Sequence, residues 1–154
     1  MKNKIIQVLS LFIFIFLSIV YLELLFKARV LTVYFDITLF RVILFSFTYT
    51  VMFMFLLMFF REKAVKVLAF ILVFIVSFLY LNQEIYFSFV EGFYSVTIAG
   101  DFTMGLSFLS DYLTALKFGH LLYLIPICLL FVLTKYKLFN FIRYRIIVIS
   151  IIYY

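Results

Sequence analysis

The stretch AVKVLAFILVFIVSFLYL, residues 64–81, decides the fold of this chain. Apart from Lys66 near its start it carries no charge, and as an α-helix it would rise ~27 Å, close to the ~30 Å of a bilayer's hydrocarbon core. A helix satisfies its own backbone hydrogen bonds, which is the condition for crossing lipid. The next residues, NQEIYFSFVEGFYSV at 82–96, change character at once, with two glutamates and five aromatic residues. One end of the helix is therefore expected at a membrane surface.

Working outward, the same apolar signature recurs at residues 5–26, 38–60 and 119–134, the last being the shortest. The expectation is an all-α, polytopic membrane helix bundle of four full spans, forming one membrane domain over residues 1–154. A fifth run, IIVISIIYY at 146–154, is nine residues long. That length rises only ~13 Å, so the pattern predicts a chain that stops inside a fifth helix, as a truncated product or fragment would. The first run follows Lys2 and Lys4 but is longer than a signal-peptide core and lacks a small-residue cleavage site, so it reads as a retained anchor.

Composition supports this assignment. Of 154 residues, 69% are hydrophobic and 13% charged; the mean hydropathy is +1.30. These values exclude an ordinary soluble globular domain. Twenty-four Phe and twelve Tyr provide apolar bulk and interfacial anchors, without any Trp. Cys128, the one cysteine, forms no intramolecular disulfide and reads as an inert thiol packed in a helix. The partners expected are membrane lipids; nothing points to nucleic acid.

Charge sets an orientation. With the N-terminus cytoplasmic, the inner side collects Lys2, Lys4, Arg61, Lys63, Lys66, Lys135, Lys137, Arg143 and Arg145 against the single acid Glu62. The outer side holds Lys27, Arg29, Arg41 and Lys117 against six acids. The resulting +8 and −2 make up the chain's net +6, and the bias places the N-terminus in the cytoplasm of a multi-pass cell-membrane protein. Lys27 and Arg29 dissent from that bias.

Residues 82–117 then lie outside. Glu84, Ser88, Glu91 and Ser95 recur at helical spacing and predict a polar face, with Tyr80, Tyr86 and Tyr94 as anchors and Gly92 as a bend or stop. In residues 101–117, Phe102, Leu106, Leu109, Leu113 and Leu116 keep one stripe while Thr103, Ser107, Ser110, Thr114 and Lys117 keep the next. The prediction is an amphipathic helix in the plane of the interface, capped by Asp101.

The chemical groups are few. Glu84, Tyr86, Glu91 and Tyr94 are the candidates for lipid-headgroup contact, with both glutamates expected as solvated interfacial carboxylates. His120, the sole histidine, reads as interfacial, and Pro126 as a kink in the fourth span. Arg41 is expected to snorkel outward or to pair with Asp36 or Glu23. No zinc-protease, phosphate-loop or nucleophile-elbow motif is present, so no catalytic, cofactor-binding or metal-ligating residue is assigned.

Over residues 82–134 the order of elements resembles the membrane region of the lipoteichoic acid synthase family, phosphoglycerol transferases of the sulfatase and alkaline phosphatase superfamily. The elements that carry the likeness are Tyr86, Phe93, Tyr94, Ser95, Gly100 and the stripe from Leu106 to Leu116, leading into the fourth span. The five-span plan with an inward N-terminus extends it more loosely over the whole chain. The resemblance implies a following extracellular domain with a threonine nucleophile and a manganese or magnesium ion, acting on phosphatidylglycerol. None of that domain lies in these 154 residues, so the implied role is a membrane anchor, inactive alone. A self-standing accessory or holin-like membrane protein and a transporter fragment remain the alternatives.

Overall fold

The computed structural model describes residues 2–31, 38–90 and 114–136. Among these residues there is no strand, and four helical segments are long and apolar enough to cross a membrane. The all-α membrane bundle is thus the observed architecture. The runs at 91–113 and 137–154, which include most of the expected interfacial helix and the whole partial fifth span, lie outside the described residues.

Helix α1 spans Lys2–Phe26 and continues as a π-helical stretch, Lys27–Leu31. Helix α2 spans Thr38–Met58 and α3 spans Glu62–Val90. Between α2 and α3 the chain reverses within residues 59–61, where Phe59 and Phe60 donate to the carbonyls of Leu56 and Leu57 and Val65 donates to Arg61. So short a connection forces the two helices antiparallel. At 29 residues α3 rises ~43 Å, well beyond the core thickness, so it exceeds the expected 64–81 and carries Glu84 on its own surface.

The fourth segment departs from a plain α-helix. Phe118–Leu124 is 3-10 helix, and α4 follows over Ile125–Lys135. Pro126 stands in the first turn of α4, where its missing N–H costs no intrahelical bond. The proline therefore starts an α-helix instead of kinking one. The tighter 3-10 winding rises ~2 Å per residue, so the two pieces together reach ~30 Å, which a purely α-helical segment of that length would miss.

The apolar core joins the first three helices. Leu11, Ile15 and Ile19, spaced by four along α1, meet Met54 and Leu57 of α2 and Val65 and Ala69 of α3. Phe47 of α2 meets Phe12 and Phe16 of α1 edge-on, at centroid distances of 5.7 and 6.4 Å. Hydroxyls in this apolar setting bond back to their own helices: Ser18 to Phe14, Thr50 to Ser46 and Thr134 to Leu130, at 2.7–2.8 Å. That leaves little unsatisfied polarity facing lipid.

Candidate functional site

The most polar part of the bundle is a junction of α1, α3 and the fourth segment, at the end where α3 leaves the core. Arg29, in the π-helical stretch, places Nε 2.9 Å from Oε1 of Glu84 on α3. Its Nη1 donates to the carbonyl of Gly119 at 2.5 Å. His120 lies 3.2 Å from the same Glu84 oxygen through Nε2. Its other ring nitrogen, Nδ1, accepts the backbone N–H of Lys117 at 2.9 Å. An accepting Nδ1 has its lone pair engaged, so Nε2 carries the ring proton and donates it to Glu84.

Each partner is fixed by its element. His120 sits in the first turn of the 3-10 helix, where free backbone N–H groups need acceptors, and its ring supplies one. Gly119 makes room for the arginine: a Cβ there would lie 2.7 Å from Nη2 and 2.9 Å from Nη1 of Arg29. Tyr123, one helical turn beyond His120, is fully buried, and neither its hydroxyl nor the second oxygen of Glu84 has a hydrogen-bond partner among the described residues. Tyr21 on α1 donates to the Leu122 carbonyl at 3.2 Å, a further tie between α1 and the fourth segment.

A second polar spot lies one turn earlier on the same face of α3. Tyr80 donates its hydroxyl to Glu23 of α1 and packs edge-on against Phe26 at 6.0 Å. It helps line an open cleft of about 770 Å³ between α2 and α3. Met52, Phe55 and Leu56 of α2, Phe59 just beyond it, and Val76 and Leu79 of α3 line it.

Several sequence expectations change. Glu84 is not a solvated carboxylate; it is 9% exposed and ion-paired inside the bundle. His120, expected at the interface, is 7% exposed. The expected polar face splits, with Glu84 turned inward and Ser88 bonded to the Ile85 carbonyl. Tyr86 is half-buried on α3, while Glu91 and Tyr94 lie outside the described residues. Glu23 is engaged by Tyr80, and Arg41 is exposed near the start of α2. Cys128 is exposed on α4 instead of packed within the bundle.

Sequence reasoning missed Arg29, Gly119 and Tyr123 as parts of one site. The available signal was the dissent of Arg29 from the charge bias, since a cation on the acidic side is accounted for by a carboxylate partner. Chemically, the junction binds helices to each other. Both nitrogens of His120 are engaged, and one oxygen of Glu84 is matched by Arg29. Nor does the site fit a manganese or magnesium ion, which needs several converging oxygen ligands. Among the described residues no group of three or more His, Cys, Asp or Glu side chains is placed to hold a metal. No protein family, curated protein or solved structure matches this chain.

Proposed function

We propose that this chain is the membrane-anchoring module of a lipoteichoic acid synthase-like phosphoglycerol transferase, residing in the cell membrane with its N-terminus in the cytoplasm. The observation that carries the reading is the junction of Arg29, Glu84, Gly119 and His120. It ties α3, near its end, to the start of the fourth segment. Such a base suits a segment that supports an outer domain and borders the route by which phosphatidylglycerol reaches it. The likeness of residues 82–134 to that family supplies the chemistry.

The distribution of basic residues supports the orientation. The nine-to-four split of Lys and Arg carries it, with Arg29, one of the dissenting bases, ion-paired to Glu84. Residues 61–66 are then cytoplasmic and 82–117 extracytoplasmic. In a Cys128→Ser background, a membrane-impermeant thiol reagent applied to intact cells should label a cysteine at position 97 and not one at position 64; the reverse pattern contradicts the topology. The family assignment is tested on the gene itself. Coding DNA beyond codon 154 that encodes a sulfatase-like domain supports it, and an unrelated neighbouring gene contradicts it.

A further inference from the structure

The open cleft between α2 and α3 belongs to no part of the junction described above. Its volume of about 770 Å³ falls within the range of small-molecule sites, and it is apolar along its walls with a few polar groups gathered at one end. Those groups are Tyr80 and Gln83, with Glu23 as the hydrogen-bond acceptor of Tyr80. Their level is set by α3. Lys63 marks one boundary of the span, and the ~30 Å core then ends some twenty residues later, near Gln83. Tyr80 and Gln83 are thus near headgroup depth, while Met52 and Phe55 of α2 and Val76 and Leu79 of α3 are at acyl-chain depth.

We propose that this cleft is a binding site for one bilayer phospholipid, whose acyl chain lies between α2 and α3 and whose headgroup donates hydrogen bonds to Glu23. The occupant follows from position and from charge. The walls are exposed at residues such as Phe55, 62%, and Leu79, 61%, in helices long enough to span a membrane, so hydrocarbon is the medium that meets them. Glu23 makes no ion pair among the described residues, and a carboxylate offers about four acceptor positions, of which Tyr80 fills one. The complement is a headgroup carrying N–H or O–H donors. An ethanolamine ammonium fits best, a glycerol headgroup next, and choline, which has neither donor, worst.

The test uses the full chain, purified and equilibrated with equal amounts of phosphatidylethanolamine, phosphatidylglycerol and phosphatidylcholine of matched acyl chains, then weighed intact by native mass spectrometry. One retained lipid per chain is expected, with the ethanolamine lipid favoured about tenfold over the choline lipid, equivalent to about 1.4 kcal/mol. Leu79→Trp fills the cleft and should lower retention of every lipid about tenfold, while Phe45→Trp, outside the cleft, should leave it unchanged. Glu23→Gln should keep retention and shrink the discrimination against choline. Where circular dichroism shows that Leu79→Trp has lost helix, Phe55→Trp on the facing wall is read in its place. Retention that ignores both cleft-filling variants, equal retention of the three lipids, or a dimer mass in place of bound lipid would overturn the proposal.

Discussion

Two junctions hold α1 to the rest of the bundle, and they are built differently. Toward α2 and the start of α3 the contact is apolar, Leu11, Ile15 and Ile19 against Met54, Leu57, Val65 and Ala69. Toward the end of α3 and the fourth segment it is polar, with Arg29, Glu84, Gly119 and His120 linked through three close contacts. In water the apolar junction would dominate stability. In lipid the surrounding tails are as apolar as the helix faces, so side-chain packing alone gives little net drive, and directional polar bonds fix which helix ends meet. The α2–α3 cleft lies on the apolar side, where no such bond closes it.

If the polar junction dominates, the largest loss comes from removing its cation. Arg29→Leu leaves Glu84 buried without a counter-charge, and breaking a buried ion pair in this way costs about 3 kcal/mol. Reversible unfolding in mixed detergent and lipid measures it. His120→Ala removes one donor to Glu84 and the acceptor for the Lys117 N–H, with an expected loss of about 1.5 kcal/mol in the same assay. Gly119→Ala should cost about 1 kcal/mol, because the new methyl meets the guanidinium of Arg29 and only the flexible end of that side chain can yield. Tyr80→Phe loses one hydrogen bond to Glu23 and keeps the ring packing against Phe26, for about 0.6 kcal/mol. An equally large loss from Leu57→Ala as from Arg29→Leu would erase the contrast between the two junctions.

Much of the fold was legible because span length and hydropathy follow from composition alone. Residues 38–60 and 64–81 lie close to α2 and within α3, and the charged residues 61–63 separate the two runs. The end of α3 was misjudged for a physical reason. Glu84 was taken as a sign of solvent, whereas helix continues past the core and pairs the carboxylate with a cation 55 positions earlier in the chain. Periodicity within one helix carries no information about such a partner. The fourth segment was misjudged similarly: Pro126 looked like an interruption, but a proline is harmless in a first turn once a 3-10 helix precedes it. Of the candidate site, Glu84 and His120 were visible as unusual residues, while their union depended on Gly119 leaving room for an arginine.

The most direct test of the account is a double-mutant cycle on Arg29 and Glu84, read as unfolding free energy in bicelles. The account predicts that Arg29→Leu and Glu84→Leu are each strongly destabilising, and that the double variant is more stable than Arg29→Leu alone, because no buried charge is left without a partner. Losses that add to within about 0.5 kcal/mol would mean that the two side chains do not depend on one another, and would contradict a polar junction as the element that pins these helices together.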